Sequence, residues 1–218
     1  MIRQFVALCA LALLTACGGA DTFAPAPMVE VQRRAYVHDG PAEITLYTVI
    51  KTESGEGQHT ALLINGSQRV LWDPAGSFRH PHVPERGDLH YGITERIRKV
   101  YVDYHVRDTH HVIAQTKSVS LAQADRLIAL AAAHGSANRA TCARSTSGML
   151  REVGFDVGST WFPNALRDDF GALPGVTSFR SDQSNVDTSH GVTFDPDFQP
   201  PENFFLCLLY TSPSPRDS

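Results

Sequence analysis

The sequence predicts a domain of the α+β class. The first part of the chain holds short runs in which apolar and polar residues alternate, and two of them flank Asn65-Gly66. A later part holds apolar residues at helical spacing, opened by Ser120-Leu121-Ala122-Gln123. Alternation with period two marks a strand, and spacing of three and four marks an amphipathic helix.

Both ends are expected to lie outside that domain. Arg3 supplies a small positive region, and residues 5–14 form an apolar run too short to span a bilayer. Residues 1–16 therefore read as a signal peptide. The run closes on Leu14-Thr15-Ala16-Cys17-Gly18, which resembles the lipobox of bacterial lipoproteins. That resemblance implies cleavage before Cys17 and lipidation of its thiol with palmitate-type chains. Each buried CH₂ contributes about 0.8 kcal/mol, so several chains hold a protein on a membrane. Gly18 is not the Asp that retains some lipoproteins at the inner membrane. The expected location is the bacterial cell envelope, lipid-anchored, at the outer membrane facing the periplasm. Residues 17–31, with Ala24-Pro25-Ala26-Pro27, read as the lipidated cysteine and a tether. Cys207-Leu208-Leu209-Tyr210-Thr211-Ser212-Pro213-Ser214-Pro215-Arg216-Asp217 looks like a transposase-type sequencing adapter translated in frame. Residues 207–218 are set aside on that reading, which leaves 32–206 as a single domain of ordinary size.

Within the domain, residues 42–50 alternate and read as a half-buried strand. Ser54-Gly55-Glu56-Gly57 is a loop, and residues 59–64 are the next strand. Asn65-Gly66 predicts a type I′ hairpin turn, which needs positive φ at both central residues. Residues 68–72 return as the partner, ended by Asp73-Pro74-Ala75-Gly76. In an antiparallel pair this turn places His59, near the start of one strand, beside Asp73, at the end of the other.

Residues 77–92 are rich in Pro, Gly and His and read as a long surface loop. Residues 101–106 alternate, with Val102, Tyr104 and Val106 on one strand face, and residues 111–116 read as a further strand or as its continuation after a bulge. Ser120 and Gln123 form a capping box, followed by Leu121, Ala124, Leu127, Ile128 and Ala131 on one helix face, stopping at Gly135. A second helix spans about 141–153, and a short third one about 164–170. From Pro174 onward no element is predicted.

The chain has four cysteines. Cys9 falls in the signal, Cys17 at the lipid site and Cys207 in the adapter, so Cys142 alone remains to the domain. An unpaired cysteine in an exported protein is either an inert buried thiol or a reactive one. Cys142 sits at a predicted helix N-terminus, where unpaired N–H groups carry partial positive charge and favour the thiolate. His59 is placed to act as base, Asp73 to orient the imidazole, and the Cys142 backbone N–H to receive an oxyanion.

Three segments, His59-Thr60-Ala61-Leu62-Leu63-Ile64-Asn65-Gly66, Val70-Leu71-Trp72-Asp73 and Thr141-Cys142-Ala143-Arg144-Ser145-Thr146, together resemble the circularly permuted NlpC/P60-type branch of the papain-like superfamily. In that branch the His strand precedes the Cys helix. The resemblance spans about residues 42–155. It implies helices packed on a small antiparallel sheet, and hydrolysis or transfer at amide, thioester or ester bonds, often in cell-wall peptides or lipids. By position it makes Cys142 the nucleophile, His59 the base and Asp73 the orienting group. Thr141 departs from the aromatic or Asn that many members carry before the cysteine.

A net charge of −4 gives no electrostatic case for nucleic acid as partner. The expected partners are the membrane, through the lipid anchor, and a peptidoglycan peptide or lipid as substrate. His80 and His82 share one segment, and His105, His110 and His111 another, with Asp103 and Asp108. No HExxH pattern and no zinc-type Cys/His spacing accompanies them, so no metal or other cofactor is expected. The competing reading is a non-catalytic envelope lipoprotein that binds a cell-wall or protein partner.

Overall fold

A computed structural model describes residues 24–194. The signal peptide, Cys17, the first part of the tether and the adapter-like segment lie outside the described residues. The class is α+β, with one antiparallel sheet of seven strands in the order β4-β5-β3-β2-β1-β6-β7. In chain order the elements are α1 (Met28–Arg34), β1 (Glu43–Lys51), β2 (Gly57–Asn65), β3 (Arg69–Trp72), β4 (Glu85–Arg86), β5 (Leu89–Tyr91), α2 (Glu95–His105), β6 (His110–Ser118), α3 (Leu121–His134), α4 (Cys142–Glu152), α5 (Pro163–Gly171) and β7 (Thr177–Ser181). No helix among the described residues is long and apolar enough to cross a membrane.

β1 and β2 lie at the centre and are buried on both faces. β1 is thus not the half-buried strand its alternation predicts. Its polar residues turn inward, where Thr45 Oγ1 meets Thr116 Oγ1 across to β6 at 2.8 Å. One face of the sheet, through Ile44, Leu46, Leu62 and Ile64, packs against α3, α4 and α5 by way of Leu127, Ala143, Leu150 and Phe170. The other face, through Tyr47, Val49, Ala61 and Leu63, packs against Ile97, Val100 and Tyr101 of α2. Because successive side chains in a strand point to opposite faces, residue parity in β2 decides which layer each side chain enters.

Further expectations change. Residues 101–106 are not a strand: 101–105 are the end of helix α2 and Val106 is its C-cap. Thr94 caps that helix by accepting the Ile97 N–H at 3.3 Å, and its buried positions include Ile97, Val100, Tyr101 and His105, the helical spacing. Residues 77–92 are not wholly a surface loop, because the strands β4 and β5 extend the sheet and Phe78, Leu89, His90 and Tyr91 are buried.

The type I′ geometry falls elsewhere too. Asn65 remains in β2 opposite Arg69, and Gly66 is not among the positive-φ residues. Gly66 is needed for space instead: a Cβ there would stand 2.5 Å from Asp125 Oδ1 of α3. Positive φ at two successive residues occurs at Gly87 (58°) and Asp88 (61°), between β4 and β5. Finally, ordered structure begins ahead of residue 32. α1 occupies part of the predicted tether and buries Val31, and β7 pairs with β6 beyond Pro174.

The remaining helices sit where their signals place them. Ser120 and Gln123 form the capping box of α3, and Gly135 ends it with φ 69°. α4 opens at Cys142 and α5 at Pro163, a residue whose fixed φ suits the first turn.

Candidate active site

β2 and β3 pair with Leu62 opposite Trp72. Asp73 therefore leaves the sheet beside the start of β2, and the hairpin delivers the predicted meeting. His59 Nε2 lies 2.7 Å from Asp73 Oδ1. A carboxylate only accepts, so Nε2–H donates, and neutral His59 carries its lone pair on Nδ1. Asp73 is 1% exposed and His59 8%. Burial pushes the Asp73 carboxyl up, but the charge and hydrogen bond of His59 outweigh it and hold the group well below the usual range.

His59 shares its strand face with Ala61 and Leu63 and so enters the layer of α2. There Tyr101 OH donates to the same Asp73 Oδ1 at 2.8 Å. One turn on, His105 Nδ1–H donates to the Tyr101 carbonyl at 2.9 Å, and its ring stacks on His59 with centroids 6.0 Å apart and planes 9° apart. Burial lowers His105 to about 4 and His90, buried nearby against Phe78, also to about 4. Both rings are neutral at pH 7.

Cys142 is the first residue of α4, is 3% exposed and is in no disulfide among the described residues. Its neighbour Ala143 packs into the opposite layer, with Leu62 and Ile64, and α4 lies over β2. The His59–Asp73 pair and the Cys142 helix are thus based on opposite faces of β2. Asp88 ties the segments that carry them together. Its Oδ2 accepts the N–H of Ala75, just after Asp73, at 2.7 Å, and the N–H of Ala137, in the segment leading to Cys142, at 2.8 Å. Its carbonyl accepts the Asp73 N–H at 2.9 Å. Burial raises the Asp88 carboxyl, against the two N–H bonds that favour its ionised form.

The backbone is strained on both sides of this clasp. Ala75, two residues after Asp73, has φ 56°, and Ala140, two residues before Cys142, has φ 61°. Left-handed geometry at a residue with a Cβ costs about 1–2 kcal/mol, and such strain gathers at functional sites.

The other histidines are dispersed. His80 Nδ1 accepts the His82 N–H, and His111 Nδ1 meets Thr52 Oγ1 on the far side of β1. Asp103 and His105 share a helix, not a strand face, and diverge. Asp103 Oδ2 accepts from His190 Nε2 at 2.7 Å, while His190 Nδ1 accepts the Val192 N–H at 3.0 Å. Both ring nitrogens are spent, so this second imidazole–carboxylate pair is a clasp for the segment crossing α2. Among the described residues no group of three or more His, Cys, Asp or Glu is arranged to hold a metal ion.

Sequence reasoning missed Tyr101, His105 and Asp88. The Thr94 cap followed by Ile97 and Tyr101 at a spacing of four is the signal that points to the first two. Asp88 carries none beyond Gly87-Asp88 as a turn. Comparison with family models, curated proteins and solved structures finds no match for this chain.

Proposed function

We propose that this chain is a lipid-anchored cell-envelope cysteine hydrolase that cleaves amide or ester bonds, with cell-wall peptides as the substrate class. The observation that carries the reading is the buried 2.7 Å bond between His59 Nε2 and Asp73 Oδ1, which leaves the His59 lone pair on Nδ1. The placement of Cys142 at the first position of α4 supports it. So does the resemblance to the permuted papain-like hydrolases, and we propose that fold for the domain.

In the proposed reaction, which requires the Cys142 thiol to reach the His59 ring past the start of β2, the thiol gives its proton to His59 Nδ1, and the thiolate attacks the substrate carbonyl carbon. The oxyanion is received by N–H groups of the first turn of α4, where the helix dipole adds to their effect. His59, now an imidazolium stabilised by Asp73, protonates the departing amine or alcohol. Water then attacks the acyl-thioester with His59 again as base, releasing the acid and restoring the thiol.

The burial of Cys142 favours one other reading, a non-catalytic envelope lipoprotein that binds a cell-wall or protein partner. Alkylation of Cys142 by iodoacetamide against pH, followed on its peptide by mass spectrometry, separates the two. The hydrolase reading expects a rate midpoint well below the free-thiol value of about 8.5, shifted or abolished in His59→Ala. A slow reaction with an ordinary midpoint, indifferent to His59, overturns it.

A further inference from the structure

The reaction above gives Tyr101 no part. We propose that Tyr101 is a positioning residue of this site: its hydroxyl donates to the same Asp73 oxygen that takes the His59 Nε2 proton, and so fixes the carboxylate in the orientation that keeps the His59 lone pair on Nδ1. The functional meaning of this role rests on the hydrolase reading.

A carboxylate held by one hydrogen bond turns about its Cβ–Cγ bond and offers either oxygen. Asp73 is held on three sides. Oδ1 receives both His59 Nε2–H and Tyr101 OH, at 2.7 and 2.8 Å. Oδ2 is buried, has no hydrogen-bond partner among the described residues and lies against Gly76, where an added Cβ would fall 1.9 Å away. The Asp73 N–H is held by the Asp88 carbonyl. Among the described residues both side-chain hydrogen bonds to the carboxylate therefore fall on Oδ1, and the Tyr101 hydroxyl supplies one of the two.

Tyr101 is in turn held by its surroundings. Its ring is 1% exposed and packs edge-on to Phe78, with centroids 5.1 Å apart, and tilted against Tyr47 at 5.5 Å. Its carbonyl takes the His105 Nδ1 proton, which sets the His105 tautomer and seats that ring parallel to His59. One turn of α2 thus places a donor on the carboxylate and a flat neighbour on the imidazole.

Tyr101→Phe keeps the ring packing and removes only the donor. The test uses the full chain labelled with ¹⁵N at histidine. In the unsubstituted chain, His59 is expected as the Nε2–H tautomer, and the Tyr101 hydroxyl as a slowly exchanging proton with a nuclear Overhauser contact to the His59 Nε2 proton. In Tyr101→Phe, His59 is expected to become a mixture of tautomers. Iodoacetamide alkylation of Cys142 at neutral pH is expected to slow about ten- to a hundredfold with a shifted midpoint, the scale of one hydrogen bond to a charged group. An unchanged tautomer and an unchanged alkylation profile overturn the proposal. Absence of the hydroxyl proton in the unsubstituted chain also overturns it, and that result does not require the variant to fold. Alkylation indifferent to His59→Ala sinks the hydrolase reading instead, while the tautomer still decides whether Tyr101 holds Asp73.

Discussion

Gly76 stands against the Asp73 carboxylate with no room for a side chain, since a Cβ there would fall 1.9 Å from Oδ2. The two are also joined through the backbone, Gly76 N–H donating to the Asp73 carbonyl at 2.9 Å. Gly76→Ala must therefore displace a carboxylate that two donors hold in place. The expected cost is about 1–3 kcal/mol of stability, the usual scale of overpacking, together with slower alkylation of Cys142. Urea unfolding and alkylation rates check the two effects. A variant equal to the parent in both would show that the carboxylate yields freely.

The pH dependence of stability follows from the buried histidines. His105 titrates at about 4 in the folded chain and near 6.5 when unfolded. Between those values the unfolded state binds the extra proton, so this group's contribution is fully present above the unfolded value and is lost as pH falls through the window. His90 adds in the same direction. Glu85, lifted to about 7 by burial, opposes them over part of that range. The clean measurement is therefore a difference. His105→Asn, compared with the parent by urea unfolding, should show its smallest deficit near pH 4 and its largest above pH 6.5. A deficit that does not change with pH would mean that His105 is not held neutral. Below that window Asp73, whose carboxyl is depressed in the folded state, should continue the acid loss, and Asp73→Asn should flatten that limb.

The sequence made the His59–Asp73 pair legible because a tight antiparallel connection fixes which ends meet, even though Asn65-Gly66 forms a different turn from the one predicted. α3 was legible because its cap is local, with Ser120 and Gln123 three residues apart. α2 was not. Val100, Val102, Tyr104 and Val106 alternate, and its layer buries Val100, Tyr101 and Val102 in succession, so the strand period masked the helical one. Missing the helix meant missing Tyr101 and His105 together, because both reach the site only through its turn. β7 left no periodic signal because it is an edge strand with four of its five residues exposed.

Asp88 acts through two backbone N–H groups far apart in sequence, which no local pattern encodes. Asp88 is 4% exposed, and Asp88→Ala leaves the part-buried Ala75 donor and the buried Ala137 donor without that acceptor. Each such loss costs about 1–3 kcal/mol, and alanine adds strain at φ 61°. Asp88→Asn keeps an acceptor, tolerates that φ and removes the penalty of burying a charge. The alanine variant should lose about 2–5 kcal/mol and the asparagine variant little or nothing. Thermal unfolding of the two side by side is the measurement, and equal losses would show that Asp88 does not act through those two bonds.

Ala140 offers the complementary test, in which stability and reactivity are expected to part. Its φ of 61° sits two residues before Cys142, in the segment that Asp88 ties down through Ala137. Glycine adopts this conformation without steric cost, so Ala140→Gly removes about 1–2 kcal/mol of strain. Glycine also enlarges the unfolded ensemble, which returns about 0.4–1 kcal/mol. The net expectation is a gain of a few tenths to about 1 kcal/mol by these terms. If the strain serves to seat the first turn of α4, alkylation of Cys142 should slow although the fold is firmer. A variant that is both more stable and equally reactive would show that the left-handed alanine is a feature of the connection alone.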